Sequence, residues 1–166
     1  MRVVRSAMLF AGLVLAAGAQ AQDYPTRPVT IVVPTGPGGG MEMVARLLAP
    51  KLEQRLGKPF IIENRPGAGT NIGAAAVARA APDGYSLLMA TSSTMSINVS
   101  IYKSLPFDPQ KDLMPVALYA RVPFVLVVNP SSPARTAADL VRLAKQQPGK
   151  LSFGTSGTGT ASHLFA

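Results

Sequence analysis

The chain has 166 residues, a formal net charge of +8 and no cysteine, which excludes a disulfide scaffold and a lipid-anchor thiol. The basic residues of the main body are scattered from Arg27 to Lys150 without forming a run, and aromatics are few, so a nucleic-acid-binding face is not expected. The length beyond a leader suits about one domain with a real core, and the positive balance is compatible with an acidic small molecule.

Residues 1–21 read as a cleaved leader. Arg2 and Arg5 form a basic start, residues 7–17 are apolar but too short to span a bilayer, and Ala19-Gln20-Ala21 has the small-x-small pattern of a cleavage site. Cleavage after Ala21 would give a mature protein beginning at Gln22, soluble in the periplasm. No later segment is long and apolar enough to be a transmembrane helix.

After an extended lead-in at residues 23–28, the sequence VTIVV predicts a strand covered on both faces, because β-branched residues follow one another without alternation. Pro34 and Pro37 end it. Gly36, Gly38, Gly39 and Gly40 follow, and then Met41, Val44, Ala45, Leu48, Leu52 and Leu56 recur at helical spacing as far as a Gly57 stop. The first N–H groups of a helix lack intrahelical partners and carry partial positive charge. A glycine loop that delivers them to a crevice can hold a carboxylate or phosphate. A tight turn that binds nothing uses glycine equally well.

The pattern continues with a strand at residues 60–63, a loop (NRPGAG), and an alanine-rich helix through Ala80, capped by Thr70 or Asn71. A turn at APDG (81–84) precedes a third strand at residues 85–90. This βαβαβ alternation implies a parallel sheet. Thr91, Ser92, Ser93 and Thr94 follow the third strand, where an open parallel sheet faces its ligand crevice; local hydroxyl–backbone bonds are the plainer role for any one of them. Residues 97–105 read as a short helix, and residues 107–109 begin a loop.

Residues 116–119 and 124–128 read as two further strands. The break NPSSP (129–133) is the natural crossing between two domains. Thr136 and Asp139 resemble a capping box ahead of a helix ended by Pro148-Gly149. The opening pattern then returns: a strand at residues 151–153, a glycine- and hydroxyl-rich loop (GTSGTGT, 154–160), and the start of a helix at Ala161. Two such loops either side of a proline-rich crossing favour two lobes closing on one ligand.

Enzyme readings rank behind binding. Gly154-Thr155-Ser156-Gly157-Thr158 departs from the G-x-S-x-G elbow at its last position, and His163 follows too closely to be the base. The first loop is neither G-x-G-x-x-G nor a P-loop. His163 lacks partners for a metal site. No catalytic residue, metal or cofactor is therefore assigned.

The stretches YPTRPVTIVVPTGPGGG (24–40), ENRPGAGTNIGA (63–74), ARAAPDGYSLLMAT (78–91), LPFDPQKDLMPVAL (105–118), LVVNPS (126–131) and PGKLSFGTSGTGTASHL (148–164) resemble, in order, the Bug family of tripartite tricarboxylate transporter substrate-binding proteins. The resemblance implies an α/β fold of the type II periplasmic-binding-protein kind. Residues 22–128 would form a first lobe with a parallel-rich βαβ sheet, lacking its C-terminal return, and residues 129–166 the crossing and the truncated start of a second lobe. It implies no enzyme activity. It implies capture of a small carboxylate or related compound between the lobes, partly through ordered water. The partners would be membrane transporter subunits or, alternatively, a signalling protein. The loops that match the family's ligand loops supply the candidate contacts: Gly38, Gly39, Gly40 and Met41; Thr91 and Ser92; and Thr155, Ser156, Gly157, Thr160 and His163. The family's usual Thr-Asp after the glycines is replaced here by Met41-Glu42.

Overall fold

The computed structural model describes residues 23–165, so the leader at residues 1–21 lies outside the described residues. Three parallel strands form one sheet: β1 (Val29–Val33) at the centre, β2 (Phe60–Asn64) on one side and β3 (Ser86–Leu88) on the other. In register, Ile31 stands beside Ile62 and Leu87, and Val32 beside Glu63 and Leu88. β1 is buried on both faces, which is why its sequence does not alternate.

Each face has its own cover. Val29, Ile31 and Val33 pack with Ala45 and Ala49 of helix α1 (Gly40–Leu56) and with Phe60 and Met89. Leu88 packs on the other side, with Ala74 and Ala75 of helix α2 (Asn71–Ala78) and with Phe107 and Leu113. Gly57 ends α1 in the left-handed conformation at φ 73°, its N–H bonded to the Glu53 carbonyl. The lead-in is tied to the start of β3: the Tyr24 hydroxyl donates to the Gly84 carbonyl at 2.6 Å, and the Arg27 guanidinium lies 3.8 Å above the Tyr85 ring.

Because all three strands run the same way, the loops that follow them share one edge of the sheet. The Asn64 side chain donates to the Thr35 carbonyl at 3.0 Å, joining the end of β2 to the loop after β1. After β3 the chain makes a π-helical turn (Ser93–Ile97) and then the short helix α3 (Asn98–Ile101), instead of one helix over residues 97–105. β3 is likewise shorter than residues 85–90, and α2 ends at Ala78, two residues before the sequence-based end.

The larger correction concerns the second half. Residues 116–119, 124–128 and 151–153 have strand-like composition but form no strand. Most of their side chains face solvent, Val116 at 80% exposed, Val125 79%, Val127 80% and Phe153 63%, while Tyr119 packs against the core around β1 and its hydroxyl donates to the Ala90 carbonyl at 3.0 Å. A strand exists only where a neighbour pairs with it, and among the described residues none does so here. The capping box is present. The Thr136 hydroxyl accepts the Asp139 N–H and the Asp139 carboxylate accepts the Thr136 N–H, opening helix α4 (Ala137–Gln146). The final helix, α5 (Ala161–Leu164), is one turn.

Candidate ligand-binding site

The first glycine loop leaves the sheet at Pro34 and enters α1 through Gly39, which is extended at φ −77° and makes no side-chain cap. Gly38 is the one member that needs glycine for its backbone, at φ +83°. A Cβ on Gly39 would meet only ordinary contacts, the Gly36 carbonyl at 3.6 Å and Thr35 Oγ1 at 3.8 Å, and a Cβ on Gly40 would meet nothing within 4 Å. These two positions therefore keep space open without demanding a special conformation. Met41 sends its side chain against the core cluster around β1, so only its backbone is available at the loop. Glu42 is buried, and its carboxylate accepts the Gly38 N–H at 2.5 Å and the Arg46 side chain. These bonds, the Gly38 N–H foremost and Arg46 next, hold the carboxyl below its ordinary range. A cleft of about 290 Å³ beside the loop is lined by Gly38, Gly39, Glu42, Met43, Arg46 and Leu47.

The loops after β2 and β3 are joined by a buried polar network. Ala68 and Thr70 hold positive φ, at 46° and 83°. The Thr70 hydroxyl bonds the fully buried Thr94 hydroxyl at 2.7 Å, and Thr94 bonds Thr91 at 3.2 Å. The Asn98 side-chain amide donates to the Gly69 carbonyl and to Asn71 Oδ1, both at 2.7 Å. Strained positions held by such a network cluster at binding sites. Thr91 therefore spends its hydroxyl on local bonds, the plainer of its two roles, while Ser92 is exposed.

The second glycine loop is seated on this network. The Ala161 N–H, first in α5, donates to the Ser93 hydroxyl at 2.9 Å, and the Tyr102 hydroxyl donates to the Thr158 carbonyl at 3.2 Å. The fit is close: a Cβ on Gly69 would come within 2.7 Å of the Thr158 carbonyl oxygen, and one on Gly159 within 2.7 Å of the Tyr102 ring. Within the loop, the Ser156 hydroxyl bonds Ser162 at 2.8 Å, the Thr160 hydroxyl donates to the Gly157 carbonyl at 2.6 Å, and Thr155 Oγ1 accepts the Gly157 N–H. Ser156, Gly157 and His163 are exposed, and Thr160 is buried.

The structure thus brings the second loop to the same sheet edge as the first. Among the described residues no hydrogen bond links the two loops directly. Sequence reasoning missed Glu42 as an internal partner of the glycines, and it missed Asn98 and Tyr102. Among the described residues no group of three or more His, Asp or Glu side chains is placed to hold a metal ion, and no helix is long and apolar enough to cross a membrane.

Comparison with known proteins agrees with this architecture. Residues 44–166 match the model of the tripartite tricarboxylate transporter family receptor, TctC. Protein BugT of Bordetella pertussis is 39% identical over 151 residues, covering 90% of this chain and 46% of BugT. Rpa4515 of R. palustris, solved with adipate, superposes with a TM-score of 0.81 at 42% identity, covering 86% of this chain and 48% of that one. MatC of Rhodopseudomonas palustris, solved with bound malate, gives a TM-score of 0.56 at 43% identity, over 58% of this chain and 33% of MatC. The chain spans about half the length of the relatives it matches. With a family model over most of its length and a parallel α/β sheet like that of periplasmic binding proteins, the chain belongs to the TctC, or Bug, family of solute-binding proteins.

Proposed function

We propose that the full-length protein is exported and captures a small carboxylate between two lobes for a tripartite tricarboxylate-type carrier. Residues 22–128 belong to the first lobe, and residues 129–166 begin the second. The observation that carries this reading is the seating of the second glycine loop, through Ala161 and Ser93, at the sheet edge where the first glycine loop opens. Parallel sheets bind ligands at this edge. Relatives solved with adipate and malate support the ligand class. The contacts are Gly38–Gly40 and the Met41 backbone on one side, Ser92 at the base, and Thr155, Ser156, Gly157 and His163 on the other, with Thr91 and Thr160 shaping the loops through their local hydroxyl bonds.

The test is Gly39→Val in the full-length protein. Gly39 has an extended backbone and open space around its Cβ position, so valine is expected to leave folding intact while its branched side chain blocks the loop. Adipate affinity by calorimetry should fall at least about tenfold, or ~1.4 kcal/mol. Unchanged affinity with intact folding would remove Gly39 from the site. Export is tested separately by N-terminal sequencing of the periplasmic protein, which should begin at Gln22; retention of Met1 there would refute a cleaved leader.

A further inference from the structure

Two hydrogen bonds hold the second glycine loop against the sheet edge, and each joins a side chain in residues 93–102 to the backbone at the loop. The Ser93 hydroxyl accepts the Ala161 N–H at 2.9 Å, across 68 residues of sequence. The Tyr102 hydroxyl donates to the Thr158 carbonyl at 3.2 Å, across 56 residues. The surfaces between these bonds fit without spare room. A Cβ on Gly69 would stand 2.7 Å from the Thr158 carbonyl oxygen, and one on Gly159 would stand 2.7 Å from the Tyr102 ring and 3.0 Å from Asn98 Oδ1. Ser93, Asn98 and Tyr102 are not among the ligand contacts assigned above, so this seat is made by the protein with itself.

The seat has a cost as well as a gain. The Asn98 amide nitrogen donates to the Gly69 carbonyl and to Asn71 Oδ1, but Asn98 Oδ1 is buried and has no hydrogen-bond partner among the described residues. Gly159 is one of the residues lying against it. A hydrogen bond between neutral groups gives a modest net gain, whereas a buried polar atom left without a partner costs about as much or more. Two such gains set against one such cost leave the seated and lifted forms of the loop close in free energy.

We propose that Ser93 and Tyr102 are positioning residues that form a ligand-independent clasp between the two lobes. The ligand-free protein then already samples the closed form as a minor population, and the ligand selects it. This rests on the two-lobe, carboxylate-binding reading above and adds what sets its affinity. When the binding-competent form is a minority, apparent affinity scales with its population, so a residue that never touches the ligand changes affinity through closure alone.

Small-angle X-ray scattering and calorimetric titration with adipate are made on the full-length protein and on Tyr102→Phe and Ser93→Ala, with thermal melts to confirm folding. Tyr102→Phe keeps the ring and removes only the hydroxyl. Without ligand, both variants are expected to have a larger radius of gyration than the wild type, and at saturating adipate all three should converge. Each variant should bind adipate about three- to tenfold more weakly, the share of one net neutral hydrogen bond. A role in local packing or in touching the ligand would lower affinity and leave the ligand-free scattering unchanged. Identical ligand-free scattering in all three proteins therefore overturns the clasp, while carboxylate binding stands if the wild type takes up adipate. If the wild type binds no adipate but the variants still scatter as more open molecules, the carboxylate reading falls and the clasp stands.

Discussion

Residues 22–166 produced by themselves are expected to bind adipate at least about a hundredfold more weakly than the full-length protein, a loss of ~2.7 kcal/mol or more. The three-stranded sheet has a packed centre: Val29 and Val33 are completely buried and Ala45 and Ala74 likewise. The chain beyond Met114 is held far less. Val116, Leu118, Val122, Val125 and Val127 are each more than 70% exposed, and residues 114–128 have no ladder partner among the described residues. Seating of the second loop depends on the Ala161–Ser93 and Tyr102–Thr158 bonds and on a one-turn helix, α5. A helix this short has no stability of its own in water. Hydrogen exchange on residues 22–166 should therefore show strong protection in β1 and almost none over residues 114–128 and 151–165. Strong protection across the second loop with micromolar adipate binding would show a self-sufficient unit.

Gly73→Ala is expected to destabilise the protein by about 1–3 kcal/mol, although alanine is the better helix former. A Cβ at Gly73 would lie 2.8 Å from Pro34 Cβ and 3.0 Å from both Pro34 Cα and the Arg65 carbonyl oxygen. Two of these atoms are backbone and the third belongs to a rigid ring, so α2 must move away from the mouth of the first loop. Gly36→Ala is the control. Nothing lies within 4 Å of its Cβ position and its φ is not in the left-handed region, so its effect should stay within about 0.5 kcal/mol. Chemical denaturation of both variants decides the matter. Equal stabilities would mean that the Gly73–Pro34 contact is soft.

Much of the local structure was legible because its signals are local. VTIVV reads as a doubly covered strand from its own residue types, and β1 is buried on both faces. Gly57 reads as a helix stop and takes the left-handed conformation, and Thr136–Asp139 reads as a capping box and forms one. The glycine loops were legible for the same reason, since backbone freedom belongs to the residue itself. Met41 shows the limit. Its position beside the glycines put it among the candidate contacts, but packing against the β1 cluster turned its side chain inward.

The strand expectations at residues 116–119, 124–128 and 151–153 went astray because composition records only a preference for pairing, and the partner is non-local. The sequence by itself therefore determined the α/β class, the central strand, the ends of α1 and α2 to within a few residues and the two glycine loops. Only the tertiary structure decided that Thr70, Thr94 and Asn98 would form a buried network and that Ser93 and Tyr102 would seat the second loop. The physical reason is separation along the chain. Ser93 and Ala161 are 68 residues apart, and a hydrogen bond over that distance is specified by the packing of the whole sheet edge, not by any local pattern of residues.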